Sequence, residues 1–208
     1  QRKIQAEVSR WSSYLRLLPS VSDVKSYHPL FFDDDTIELL GGSDVRAAVR
    51  RYRDSQVSSF HRKFGDEADG DRPLDEVLGA GWISLERYLW ATAILDSRVI
   101  WWDGRKHLVP LLDIVNNGQG PHGAAVHETI QDSDGHAVTT ASWSFDKGDQ
   151  VLEDYGHPNH VLFLNHGFSL ASENRHDCVR IEAERPHPGS QHLQALTRIQ
   201  EARVSHVP

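Results

Sequence analysis

Apolar residues recur at helical spacing through the front of the chain and close up into short, strand-like runs towards the back. Ile4, Val8, Trp11, Leu15 and Leu18 follow one another along one helix face, and Pro19 ends it because proline brings no backbone N–H. After Gly41-Gly42, Ser43 is placed to cap a second helix, on which Val45, Ala48, Val49, Tyr52, Ser59, Phe60 and Phe64 keep roughly one face apolar. Its other face carries Arg46, Arg50, Arg51 and Arg53, a charge run that reads first as a solvated face and second as a binding surface. Gly65 to Pro73 has the acidic and glycine content of an exposed loop. Ser84 then caps a third helix along Leu85, Tyr88, Leu89, Thr92, Leu95 and Val99, and Asp103-Gly104 turns the chain.

From Leu108 the period shortens. Leu108 to Val115 is a nearly continuous apolar run, the pattern of a strand buried on both faces, broken only by Asp113. A buried carboxylate there must find partners, since an unpaired one is costly. Asp134-Gly135 between Val126–Ile130 and Ala137–Ala141 predicts a hairpin, and Lys147-Gly148-Asp149 turns into a strand over Val151–Tyr155. Leu193, Leu196 and Ile199 return to helical spacing in the tail.

The chain has 208 residues, 38% of them hydrophobic and 25% charged, enough for one moderate domain with a real core. No apolar run approaches the roughly 18 residues of a membrane span, and no signal peptide is visible, so an intracellular protein of unspecified compartment is expected. Cys178 alone builds no internal disulfide framework and no cysteine zinc cluster. The histidines at 157, 160 and 166 lie close together but match no standard zinc spacing, so no metal is expected. A formal charge of −8 argues against direct nucleic-acid binding and suits a basic protein substrate or partner.

Two stretches carry a more specific signal: Leu108-Val-Pro-Leu-Leu-Asp-Ile-Val-Asn-Asn117 and Gly148-Asp-Gln-Val-Leu-Glu-Asp-Tyr-Gly-His-Pro-Asn-His-Val-Leu-Phe-Leu-Asn-His-Gly-Phe168. The first resembles the SET-domain strand that ends in Asp-x-x-Asn-His, and the second its Gly-Glu-Gln-x-x-x-x-Tyr-Gly turn followed by Asn and Gly-Phe. Trp11-Ser-Ser-Tyr-Leu-Arg-Leu-Leu-Pro19 resembles the Trp-x-x-Tyr-x-x-x-Leu-Pro of the branch that holds the Rubisco large-subunit methyltransferase and the actin histidine methyltransferase. Asp33–Leu40, Trp90-Ala91, Ser97-Arg98 and Asn174–Ile181 follow in the family's order. The family's Gly-x-Gly strand, which precedes the insert and cradles the cofactor, has no counterpart ahead of these segments.

The resemblance implies an α+β, SET-like fold: a helical insert over 1–97, a small-sheet C-terminal SET region over 98–183 with the cofactor and acceptor site, and the start of a C-terminal helix over 184–208. It implies S-adenosylmethionine as cofactor and methyl transfer to a side-chain nitrogen of a protein substrate. Tyr155 matches the family tyrosine beside the acceptor; a strand-end tyrosine with a satisfied hydroxyl is the alternative. Cofactor contacts are implied for Arg98, for Asp113, Ile114, Val115, Asn116 and Asn117, and for His166. Asn116 has the alternative of a simple turn residue, and Arg98 that of a surface ion pair. Asn117 stands where the family has histidine. The histidine-modifying branch has an asparagine two residues after the Arg98 position, where this chain has Ile100, which leans the reading towards a lysine acceptor.

Methyl transfer from a sulfonium is an in-line displacement, so the site has to present a neutral nitrogen and exclude water. A lysine meets that condition near pH 7 only where desolvation or positive neighbours lower its pKa. Two functions remain open: the methyltransferase just described, and a non-catalytic SET-fold subunit that serves as an interaction platform in a larger assembly.

Overall fold

A computed structural model describes residues 11–64, 83–102, 104–171 and 173–178. The chain divides into two units, Gln1–Asp177 and Cys178–Pro208. Ile4 and Val8 of the first expected helix, the loop expected over 65–73, Asp103, and the tail with Leu193, Leu196 and Ile199 lie outside the described residues.

The front is helical, as its periodicity predicts. Residues 11–15 are helical and turn at 16–18. Helix α1 (Val21–Tyr27) begins at a reciprocal cap: Asp23 N–H donates to Ser20 Oγ at 3.2 Å, and Ser20 N–H donates to the Asp23 carboxylate at 2.9 Å. A 3₁₀ turn over Pro29–Phe31 leads to α2 (Asp34–Glu38), capped by Asp33. Helix α3 (Asp44–Phe64) and helix α4 (Leu85–Arg98) follow, the latter capped by Ser84 as expected. Ser43 does not cap α3 through its hydroxyl, which donates back to the Leu40 carbonyl at 2.9 Å and closes the preceding turn. Three of the four arginines on the charged face of α3 make pairs: Arg46 and Arg50 with Glu38, and Arg53 with Asp34 and the Phe32 carbonyl.

Val24, Leu30, Leu89, Ala93 and Ile94 form the buried core between these helices, with Leu18, Phe31, Tyr52 and Trp90 packed against it. The Trp90 indole N–H donates to the Pro19 carbonyl at 2.9 Å, which fixes the start of α1 against α4. His28 is also fully buried; its Nδ1 accepts from Leu30 N–H and its Nε2 meets the Asn165 carbonyl at 3.2 Å.

Among the described residues, the back of the chain forms three small two-stranded sheets. Strands β1 (Val99–Trp102) and β2 (Arg105–Leu108) are antiparallel, with Val99 opposite Leu108. Beyond Leu108 the apolar run departs from its expected strand. Pro110 offers no N–H to a ladder, Leu111 takes φ 81°, and the chain winds into a 3₁₀ turn over Leu112–Ile114. The run is therefore not buried throughout: Leu111 and Ile114 are exposed while Asp113 is buried. Strand β3 (Asn116–Asn117) pairs in parallel with β6 (Leu152–Glu153). Between them lies the expected hairpin, β4 (Thr129–Gln131) and β5 (Ala137–Thr139). Its turn is closed by Asp132, whose carboxylate accepts from the backbone N–H groups of Asp134 and His136. Helix α5 (Asn159–His166), inside the motif that resembles the SET turn, completes the unit. No helix among the described residues is long and apolar enough to cross a membrane.

Gly167 ends α5 at φ 76°, and a Cβ there would sit 2.5 Å from the Tyr27 ring. Left-handed backbone strain and overpacking then act together, so Gly167→Ala is expected to destabilise the fold by about 2–3 kcal/mol. A denaturant titration that leaves the midpoint unchanged would contradict this packing of α5 on α1.

Candidate functional site

The β3–β6 pair is only two residues long, yet it brings both family-like stretches together. Gly118 N–H donates to the Glu153 carbonyl at 2.9 Å, and Tyr155 N–H donates to Asn117 Oδ1 at 3.0 Å. The Tyr155 hydroxyl crosses back and donates to the Val115 carbonyl at 2.5 Å. The phenol proton is thereby engaged, which leaves the oxygen's lone pairs for an incoming N–H or cation.

Arg98 reaches the same place from the last turn of α4. Its Nη1 donates to the Asp113 carbonyl at 2.9 Å and lies 3.7 Å from Asp113 Oδ2. The Asp113 side chain is fully buried, and Oδ2 also accepts from the Tyr14 hydroxyl. Asp113 is thus the aspartate in an apolar run that needed partners, and Tyr14, from the Trp-x-x-Tyr stretch, is one of them. Among the described residues, Asp113 Oδ1 and Arg98 Nε are buried and have no hydrogen-bond partner. Such groups are expensive to leave unmade unless something else binds them.

A cavity of about 440 Å³ opens beside these residues. Arg98, Asp113, Val115, Tyr155 and His166 line it, so five of the candidate site positions singled out from sequence share one cavity. Asn117 stands behind Tyr155 and holds its backbone. Ile114 and Asn116 are exposed and lie outside the lining. Periodicity and motif reading missed His127, Glu153, Trp101 and Thr129, which also line the cavity. Glu153 had a signal available, since two residues before Tyr155 in an extended chain puts it on the same side; nothing local marks His127.

Electrostatics keeps the aromatic groups here neutral. Burial, and then the charge of Glu153, push the Tyr155 hydroxyl up to about 12, so it remains a phenol at neutral pH. His166 stacks on Tyr155 at 5.2 Å between ring centroids, and burial, then its neighbours His157 and His28, bring it down to about 4. His28 and His157 are lowered by burial as well. A histidine kept neutral in the fold binds its proton more readily in the unfolded chain. Stability from His166 is therefore full above about pH 6.5 and is lost as pH falls towards about 4, by on the order of 3 kcal/mol. His166→Phe is expected to flatten the stability profile across that window, as read from unfolding midpoints between pH 4 and about 7.

No family model and no curated protein matches this chain. Solved structures do. The SET domain of LSMT bound to lysine and AdoHcy superposes with a TM-score of 0.62 at 22% identity, covering 80% of this chain and 37% of that one. Rubisco LSMT bound to sinefungin and monomethyllysine gives 0.58 at 21% identity, with 80% and 36% covered. A third structure, the SET domain of LSMT bound to methyllysine and AdoHcy, gives 0.58 at 21%, with 80% and 37% covered. This chain has the SET-domain fold, and it spans a little over a third of the length of those matched chains, 37% of the first.

Proposed function

We propose that this chain belongs to an S-adenosylmethionine-dependent methyltransferase that acts on a lysine side chain of a protein substrate, with residues 98–183 holding the cofactor and acceptor site. The observation that carries the reading is the Tyr155 hydroxyl, held by the Val115 carbonyl on the wall of a cavity in a SET fold. The similar solved structures carry AdoHcy or sinefungin together with lysine or its methylated forms, which supports the same donor and acceptor classes here.

The chain's own groups fit a zwitterionic cofactor end. Arg98 would take its carboxylate and the unpaired Asp113 Oδ1 its ammonium, which would satisfy two buried atoms that otherwise lack partners. Asn116, Asn117, the backbone of Ile114 and Val115, and His166 would complete the binding surface by the family pattern. S-adenosylmethionine supplies an electrophilic methyl group when bound. Tyr155 orients the acceptor nitrogen through its lone pairs, and His166, which lines the cavity with its ring 5.8 Å from that of Phe168, stays uncharged beside it. Ile100 on the cavity wall favours the aliphatic stem of lysine over an imidazole that needs a polar partner.

One observation favours the second reading, a non-catalytic SET-fold subunit: Asn116 is exposed and outside the cavity lining. Calorimetry of S-adenosylmethionine with the full chain separates the two. Saturable micromolar binding, weakened at least about tenfold by Asn116→Ala, is expected for the enzyme, a loss of about 1.4 kcal/mol. Because Asn116 is exposed, that substitution leaves the core intact. No binding at millimolar ligand sinks the methyltransferase reading.

A further inference from the structure

Beside Tyr155 the cavity wall carries a hydrogen-bonded chain of three side chains. Glu153 and Tyr155 alternate with Asp154 along the extended backbone and both line the cavity. His127 Nδ1 lies 2.8 Å from Glu153 Oε2, and the two side chains are only 15% and 12% exposed. On the far side of the ring, Nε2 lies 2.9 Å from the hydroxyl of Thr129, which is buried. A carboxylate only accepts, so in the neutral ring Nδ1 carries the proton towards Glu153 and Nε2 accepts from Thr129. His127 is itself pinned by its backbone N–H, which donates to the Asp154 carbonyl at 2.7 Å. Thr129 on Nε2 and the Thr139 hydroxyl, 3.3 Å from Nδ1, thus fix the ring and the ring fixes the carboxylate, leaving the other Glu153 oxygen for the cavity.

Resting on the methyltransferase reading above, we propose that Glu153 is the proton acceptor for the incoming ammonium, with His127 and Thr129 as positioning residues that hold its carboxylate beside Tyr155. The step moves one proton. The acceptor nitrogen gives it to the oxygen of Glu153 that His127 does not hold, and the products are a neutral amine with a free lone pair and a neutral carboxylic acid. Both reactants are charged and both products are not. Once water is excluded, desolvation penalises the ion pair and moves the balance towards the neutral pair.

The other groups around the cavity are committed elsewhere or lack a suitable charge. Tyr155 stays a phenol up to about pH 12 and is no base. The Asp113 carboxylate is held by Arg98 and Tyr14, and Asp96 accepts from Tyr52. The Lys106 ammonium sits 5.5 Å over the Trp101 ring and is itself a cation. Glu128 is exposed. His157 and His166 are bases weakened by burial. Glu153 is the carboxylate that combines low exposure, a fixed orientation and a place on the same side of the strand as the tyrosine.

The test uses the full chain, S-adenosylmethionine and free L-lysine as the acceptor probe, with wild type compared to Glu153→Gln, an isosteric change. Both proteins are expected to bind S-adenosylmethionine equally and to unfold at similar temperatures. At pH 7 the variant should transfer methyl about a hundredfold more slowly. That deficit should shrink about tenfold per pH unit up to pH ~9, as solution supplies the amine already deprotonated. His127→Asn, which keeps an N–H near the carboxylate, should retain more of the rate than His127→Ala, with the same pH trend. A deficit that stays constant with pH, or no deficit, overturns the role of Glu153 while leaving the methyltransferase reading standing. Failure of the wild type to bind S-adenosylmethionine overturns both.

Discussion

Tyr155→Phe is expected to lower methyl transfer by about a hundredfold to a thousandfold while leaving S-adenosylmethionine binding unchanged within about twofold. The change removes one oxygen from the cavity wall and nothing else from its shape. Its hydroxyl donates to the Val115 carbonyl, so a modest stability loss of about 1 kcal/mol comes with it. The two effects separate in single-turnover measurements well below the unfolding temperature, where lost stability does not alter the rate. The pH profile adds a second check. With the phenol pushed up to about 12, no limb from tyrosine ionisation should appear at any pH the protein survives. A variant that turns over within about threefold of wild type would leave Tyr155 as a strand-end tyrosine with a satisfied hydroxyl, and the cavity without its proposed chemistry.

The largest stability effect is expected at Arg98. Its guanidinium lies 3.7 Å from a carboxylate whose side chain is fully buried, and among the described residues the remaining partner of that carboxylate is the Tyr14 hydroxyl. Arg98→Met keeps the apolar stem and removes the charge, leaving Asp113 buried and uncompensated at a cost of about 3–5 kcal/mol. Against a typical total of about 5–15 kcal/mol, that is enough to leave much of the population unfolded at 37 °C. Asp113→Asn in the same background should restore about 1–3 kcal/mol, because a neutral amide no longer needs the cation. Chemical denaturation of the single and double variants measures this coupling directly. Strictly additive losses would mean that the pair is held apart by solvent and is only a surface ion pair.

Much of this protein can be read along the chain because the relevant signals are local. Helical periodicity and the Ser84 cap place α4, and Asp134-Gly135 places the β4–β5 hairpin, since caps and turns depend on neighbours a few residues away. The two family-like stretches, with the Ser97-Arg98 match ahead of them, pointed to Arg98, Asp113, Val115, Tyr155 and His166, and the fold sets all five on one cavity. The apolar run after Leu108 misled, because a winding 3₁₀ turn and a buried strand share the same composition, and within it Pro110 is the hint of the difference, borne out by the positive φ of Leu111.

Other features depend on distances that no local pattern records. Tyr14 meets Asp113 from 99 residues away, and His28 meets the Asn165 carbonyl from 137. The neutrality of His166 comes from burial among groups on other elements. The Glu153–His127–Thr129 chain exists because a two-residue parallel pair and a hairpin converge on one wall. Sequence by itself determined which segments become helices and turns and which residue types are on hand for methyl-transfer chemistry. Tertiary structure alone decided which of them face a common cavity, how far each is from water, and which proton each holds, because burial and charge act through space and not along the chain.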